Sequence, residues 1–374
     1  MKKAVLAIED GTVFEGINFG SEGEAFGEVV FNTSLTGYQE ILTDPSYNGQ
    51  VVVMTYPEIG NYGVNTEDLE SKKPFARGLA VKEYWPIPSN WRSEQSLDEF
   101  MKANNGVGIH GIDTRFLTKQ IRTKGAQKCV ISTVDFDKKS LFAKLKNSSD
   151  IVGKDLVTEV SCKEPYSWSE GTEQWIPSND KYEVKKSYNV VAYDFGIKTN
   201  ILRRLTDLGC KLTVVPSDTS PDEVLKLDPD GIFLSNGPGD PEGVSYAVEN
   251  VKELLGKKPI FGICLGHQII SIALGGSTYK LKFGHRGGNQ PVKNHKTGKV
   301  EITSQNHSFA VDPDSLGDNV EITHVNLNDQ TVEGLRHREY PVFSVQYHPE
   351  SSPGPHDSSY LFNEFIELME GFKN

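Results

Sequence analysis

The residues of this sequence best placed to do chemistry are a cysteine, a histidine and a glutamate in its last third. Cys264 stands in Phe261-Gly262-Ile263-Cys264-Leu265-Gly266-His267, where an apolar strand-like run turns into a helix-like one. Gly262-x-Cys264-x-Gly266 has the spacing of a nucleophile elbow with sulfur in place of hydroxyl. So tight a turn brings neighbouring backbone segments together, and glycine is the residue that leaves them room. A helix starting at His267 would point its positive end at the sulfur and favour the thiolate, the form that attacks carbonyls. A cysteine beside an apolar strand is ordinarily a small buried hydrophobe, and Cys129, Cys162 and Cys210, without such a setting, keep that reading.

A nucleophile needs a base, and the base needs a group to orient it. Val342-Phe343-Ser344-Val345-Gln346-Tyr347-His348-Pro349-Glu350 reads as a strand with His348 at its end. Residues two apart in an extended segment face one side, so Glu350 can reach the ring of His348 and hold it. Acyl transfer further requires donors for the developing oxyanion. The backbone N–H of Leu265, next after the nucleophile, suits one. The loop Asn236-Gly237-Pro238-Gly239-Asp240-Pro241, after the strand ending Leu234-Ser235, sits where open parallel sheets place ligands and suits the other. Alone, that loop would be a plain turn, and His-Pro-Glu a strand-ending one.

The elements needed to position these residues are legible over 188–374. Strand-like Val190–Tyr193, 212–215, 231–235 and 259–263 alternate with helical patterns at 197–208, 246–255 and 267–274, with Gly209 at a C-cap position. Such alternation predicts an α/β domain with a mostly parallel sheet and helices on both faces. Beyond Gly275 the period becomes two, as in Val300-Glu301-Ile302-Thr303, and an amphipathic helix at 360–369 closes the pattern. Residues 1–150 carry short β-branched runs and a helix at 113–121, which predicts a mixed α/β or β-rich N-terminal domain. Residues 151–187, rich in Pro, Ser and Gly, read as a linker.

Bulk properties narrow the function classes. The 374 residues suit two or three domains, and a net charge of −12 argues against nucleic acid or an anionic membrane as partner. The apolar run Ala4–Ile8 is too short for a signal-peptide core, and no stretch approaches the roughly 20 apolar residues of a membrane span. Four cysteines without CxxC spacing suggest neither disulfides nor zinc, and point to a reducing cytoplasm. His285, His295 and His307 share no metal-ligand spacing, so no metal is expected. Gly106-x-Gly108-x-x-Gly111 follows a helix end instead of a strand, which excludes a dinucleotide site, and no GxxxxGK[ST] loop is present to bind ATP.

Ser235–Pro241, Phe261–Gln268 and His348-Pro349-Glu350 resemble, in order and spacing, the three signatures of class I glutamine amidotransferases. That resemblance implies a flavodoxin-like glutaminase domain over 188–374. Across the whole chain the sequence is most similar to the carbamoyl-phosphate synthetase small subunits. The motifs that carry this are Phe31-Asn32-Thr33-Ser34-Leu35-Thr36-Gly37-Tyr38-Gln39-Glu40, Thr43–Tyr47, Gly111–Arg115, Lys282–Asn289, Gln305-Asn306-His307 and Ser352–Asp357.

The resemblance implies that Cys264 attacks the glutamine side-chain amide, that His348 moves protons with Glu350 behind it, and that a glutamyl thioester forms as ammonia leaves. It implies oxyanion donors at Gly237 and Leu265. It further implies glutamine-holding positions at Ser46, Gly237, Gly239, Leu265, Gln268, Asn306, Ser308 and Phe309. Position 308 departs from the family's frequent glycine, which a backbone contact would tolerate. The implied partner is a large subunit, in a heterodimer or higher assembly. That subunit would receive the ammonia through an internal tunnel and would bind ATP and Mg to make carbamoyl phosphate for arginine and pyrimidine synthesis. A free-standing Cys–His hydrolase of γ-glutamyl or peptide bonds would leave the N-terminal motifs unexplained. A non-catalytic regulatory subunit would have no need of all three of Cys264, His348 and Glu350.

Overall fold

A seven-stranded closed barrel forms from the N-terminal residues of the computed structural model, which describes residues 2–172 and 186–373. The chain divides into two compact units, Met1–Lys154 with Lys282–Gly287, and Asp155–Leu281 with Gly288–Asn374. Residues 173–185, part of the stretch read as a linker, lie outside the described residues.

In the first unit the strands are β1 (Lys3–Ile8), β2 (Val13–Gly20), β3 (Glu24–Asn32), β4 (Gln50–Met54), β5 (Glu58–Ile59), β6 (Gly78–Ala80), β7 (Glu83–Tyr84), β8 (Val107–His110) and β9 (Gln127–Ser132). The barrel order is β1-β2-β8-β6-β4-β3-β9, and β5 pairs with β7 apart from it. Helices α1 (Tyr38–Thr43), α2 (Leu97–Ala103), α3 (Thr114–Lys124) and α4 (Lys138–Asn147) pack on the strands. Strand alternation sorts the apolar residues. Ala4, Leu6 and Ile8 join Leu117 and Ile121 of α3, while Val5 and Ala7 pack with Leu141 and Leu145 of α4. The helix expected at 113–121 is α3, started by the Asp113 carboxylate accepting the Phe116 N–H at 2.9 Å. The run Gly106–Gly111 follows α2 and enters β8, so no strand precedes it.

The second unit holds β10 (Tyr166–Trp168), β11 (Tyr188–Asp194), β12 (Cys210–Pro216), β13 (Gly231–Leu234), β14 (Ile260–Ile263), β15 (Thr278–Asn294, except Lys282–Gly287, which belong to the first unit), β16 (Val300–Val311), β17 (Val320–Asn326), β18 (Val332–His337) and β19 (Val342–Val345). They form one sheet in the order β10-β12-β11-β13-β14-β19-β18-β17-β15-β16. Within it, β12, β11, β13, β14 and β19 are parallel neighbours, the 2-1-3-4-5 order of flavodoxin-like folds. Antiparallel strands flank this centre, with β10 against β12 and the β18-β17-β15 series beyond β19. Residues 166–168, read as linker, are thus a strand of this sheet.

Period-two alternation gives each face its core. Val190, Ala192, Phe233, Phe261 and Phe343 pack with α5 (Thr199–Asp207) and α9 (Leu361–Lys373). Val191, Tyr193, Ile232, Leu234 and Val342 pack with α6 (Pro221–Lys226), α7 (Ser245–Leu254) and α8 (Leu265–Ala273). Helices on both faces of a mostly parallel sheet are what the alternating pattern predicts. No helix of the described residues is long and apolar enough to cross a membrane.

Candidate active site

Cys264 directly follows β14 and is the N-cap of α8, which begins at Leu265, two residues before the expected start at His267. The sulfur therefore stands nearer the first helical turn than the apolar pattern suggested, because Leu265 and Gly266 are already helical. Its backbone is left-handed, with φ +53° and ψ −102°. A non-glycine residue in such a conformation costs on the order of 1–3 kcal/mol and persists only where its surroundings enforce it. Here the Cys264 N–H donates to the Val345 carbonyl at 2.9 Å, and the Gly266 N–H to that of Ser235 at 3.0 Å. Close packing explains the two glycines. A Cβ at 266 would lie 2.3 Å from the Leu234 carbonyl oxygen, and one at 262 would lie 2.9 Å from the backbone of Gly266.

Strand β19 brings His348 to the same end of the sheet. Its backbone pairs with Ser304 of β16, donating to the Ser304 carbonyl at 2.9 Å. The ring Nδ1 lies 2.7 Å from Glu350 Oε1, as residues two apart allow. Nε2 then faces the sulfur side and has no hydrogen-bond partner among the described residues. Burial works against charge on this ring, but the Glu350 carboxylate and the nearby Cys264 sulfur together raise it to about 10. Glu350 responds in kind. Burial alone would raise its carboxyl, while Lys198 and His348 hold it at about 2.

Gly237 and Leu265, the residues expected to donate to an oxyanion, are neighbours in the fold. Leu265 is the first residue of α8, and its N–H has no carbonyl four residues back within the helix. A Cβ on Gly237 would touch Leu265 Cδ2 at 2.8 Å and the Phe195 carbonyl at 2.2 Å, so only glycine brings this backbone so near. The Cys264 sulfur is 3.6 Å from the Asn306 carbonyl. Gln268, on α8, donates from Nε2 to the Phe309 carbonyl at 2.9 Å and to Gln346 Oε1 at 3.0 Å. Ser308 is half-buried between Asn306 and Phe309 on β16, and Gly239 lies in the loop after β13. Ser46 belongs to the N-terminal unit, where its N–H donates to Asp44 Oδ1 at 2.8 Å in a short 3-10 turn.

Profiles of two known families match the chain. Residues 191–368 match the class-I glutamine amidotransferases, and residues 6–131 match the CPSase domain of the carbamoyl-phosphate synthase small chain. Over 368 residues the chain is 60% identical to the carbamoyl phosphate synthase small chain of Syntrophotalea carbinolica, covering 98% of each. The chain belongs to the carbamoyl phosphate synthase small chain family. The small chain of Aquifex aeolicus is 58% identical over 371 residues, covering 99% of this chain and 100% of that one. The chloroplastic small chain of Arabidopsis thaliana is 53% identical over 370 residues, covering 99% of this chain and 86% of that one. Among solved structures, a putative GMP synthase protein from Thermoplasma acidophilum matches at 23% identity and a TM-score of 0.44, over 50% of this chain and 95% of that one.

Three buried groups of this small chain escaped the sequence reading. Lys198 Nζ lies 2.9 Å from Glu350 Oε1 and 2.5 Å from the Ser351 carbonyl oxygen. Asn200 Nδ2 donates to the Glu350 carbonyl. Gln346 Nε2 donates to the Cys264 sulfur at 3.7 Å. A signal for the first two existed, since Asp194-Phe195-Gly196-Ile197-Lys198-Thr199-Asn200 follows the first parallel strand at the sheet's ligand-binding end. For Gln346 the signal was a polar side chain within a mostly apolar strand-like run.

Proposed function

We propose that this small chain hydrolyses glutamine at Cys264 and supplies the ammonia to a large synthetase subunit. His348 Nε2 holds the proton given up by Cys264, and the sulfur anion bonds to the side-chain amide carbon. The tetrahedral oxyanion is held by the backbone N–H groups of Leu265 and Gly237. His348 then returns the proton to the leaving nitrogen, the C–N bond breaks, and ammonia departs from a γ-glutamyl thioester. Water, deprotonated by the same imidazole, attacks the thioester, and C–S cleavage releases glutamate and restores the thiol. Glu350 holds the ring through Nδ1, so that Nε2 is the nitrogen that works. The glutamine side chain and its α-amino and carboxylate groups are assigned to Gly239, Gln268, Asn306, Ser308 and Phe309.

The observation that carries this reading is the strained Cys264 elbow beside a histidine–glutamate pair delivered by a different strand. Near full-length similarity to small chains supports coupling to a large subunit over a free-standing hydrolase. ATP and magnesium belong to that larger partner on this reading, with carbamoyl phosphate as product and the cytoplasm as its place of action. The test is glutamate release from glutamine by the purified chain, alone and with the large subunit, with Cys264→Ser alongside. Release that needs Cys264 and rises with the large subunit is the expected result. Release indifferent to the partner would replace this reading with that of a free-standing hydrolase. No release under any condition would remove the catalytic role.

A further inference from the structure

Gln346 is the one side-chain amide in contact with the Cys264 sulfur among the described hydrogen bonds, and its orientation can be deduced. The Phe309 backbone carbonyl can only accept. Gln268 lies 2.9 Å from it and must therefore present its nitrogen. The same nitrogen, with its second hydrogen, lies 3.0 Å from the Gln346 amide, which must present its oxygen. Nothing then remains for Gln346 but to turn its own NH2 group to the sulfur, 3.7 Å away. This chain of partners fixes the orientation of both amides. All four groups are buried, so water does not scramble the order.

Two neighbours pull the sulfur in opposite directions. The Asn306 carbonyl, 3.6 Å away, accepts from a thiol and is repelled by an anion. The Gln346 N–H does the reverse. Among the described residues, His348 stands beside the sulfur, with Glu350 and Lys198 behind it. On the sulfur's own helix, His267 is turned to Ser344 Oγ at 2.8 Å. Resting on the reading of Cys264 as the nucleophile, we propose that Gln346 is the donor that stabilises the sulfur anion, its amide locked in place by the relay Phe309 carbonyl–Gln268–Gln346. The arrangement gives Gln268 a task at the sulfur that is separate from holding glutamine, since it sets which end of its neighbour the sulfur meets.

Alkylation by iodoacetamide reads the sulfur anion without glutamine, in the full-length chain across pH 5–10, with Cys264→Ser marking the thiol observed. Gln346→Met keeps an unbranched side chain of similar size and removes the donor. It should move the midpoint of the alkylation curve up by about one pH unit and cut the rate at neutral pH about tenfold, as loss of a hydrogen bond to a charged group implies. The plateau at high pH should stay. Gln268→Met, which does not touch the sulfur, should move the midpoint the same way by less. A folded Gln346→Met with an unmoved midpoint overturns the proposal. If that variant does not fold, Gln268→Met decides, and an unmoved midpoint there overturns the relay. Glutamate release measured in parallel keeps the two readings apart. Release that depends on Cys264 with an unmoved midpoint would end the relay and leave the glutaminase standing. A moved midpoint without release would do the opposite.

Discussion

Lys198 and Glu350 form an ion pair at 2.9 Å with side chains 3% and 0% exposed, the cation behind the carboxylate that holds His348. Two charges taken so far from water tolerate each other only as a pair, and removing one partner from a buried pair costs roughly 3–5 kcal/mol. Lys198→Met should therefore lower stability by that order, read as the urea unfolding midpoint. Adding Glu350→Gln should recover part of the loss, because the stranded carboxylate is then neutral. A double variant no more stable than Lys198→Met would show that the charge is not the cause. The pair also sets a pH limit. Glu350 titrates below its ordinary value, so its contribution is present above about pH 4.5 and is lost as pH falls toward about 2.

This pair also marks the boundary of what the sequence discloses. Cys264, His348 and Glu350 stand out because each sits in a short motif with its own backbone logic, an elbow in one case and a strand end in the other. The parallel direction of β11 to β14 follows from alternating strand and helix patterns. The local runs mark Lys198 and Gln346 only as polar residues near strand ends; their roles depend on which strand ends lie together, and that is settled by the 2-1-3-4-5 order. The barrel of the N-terminal unit was legible only as β-rich. Its closure depends on pairings such as β2 with β8 and β1 with β9, across some 90 and 120 residues, which periodicity does not encode.

Glu350 and His348 should separate in kinetics. His348→Asn removes the group that moves protons, and kcat for glutamate release should fall by roughly 100-fold or more. Glu350→Gln retains a hydrogen-bond acceptor for Nδ1 and should cost less. Glu350→Ala leaves both the ring and Lys198 without their shared partner, so it should lose stability as well as rate. Equal kcat for His348→Asn and Glu350→Gln would remove the assigned division between proton carrier and orienter.

Two buried histidines predict acid sensitivity. Burial, with the charge of His324 adding to it, pushes His267 down to about 3. Burial and His295 push His324 down to about 4. Both stay neutral in the folded chain while the unfolded chain takes up protons below about 6.5. The unfolded state then binds more protons, so stability falls as pH drops through this window, by up to about 1.4 kcal/mol per pH unit for each ring. His267→Asn should lose less stability than the parent chain between pH 7 and 4.5 in urea unfolding. Parallel stability curves would show that His267 does not contribute to the slope.

The backbone of Cys264 predicts an inverted ranking of small substitutions. At an ordinary position glycine is less stable than alanine by roughly 0.5–1 kcal/mol, through the freedom it gains on unfolding. At φ +53° and ψ −102° an alanine keeps the strain of the elbow, whereas glycine adopts that conformation without a clashing Cβ. Cys264→Gly should thus unfold at higher urea than Cys264→Ala, by the equivalent of about 1 kcal/mol, although both lose the sulfur and leave similar space. The comparison isolates the backbone, because neither variant retains the hydrogen bonds of the thiol. Alanine the more stable of the two would mean that the elbow relaxes once the cysteine is gone. The strain would then belong to the side chain's contacts with Gln346 and Asn306, not to the turn held by Val345 and Ser235.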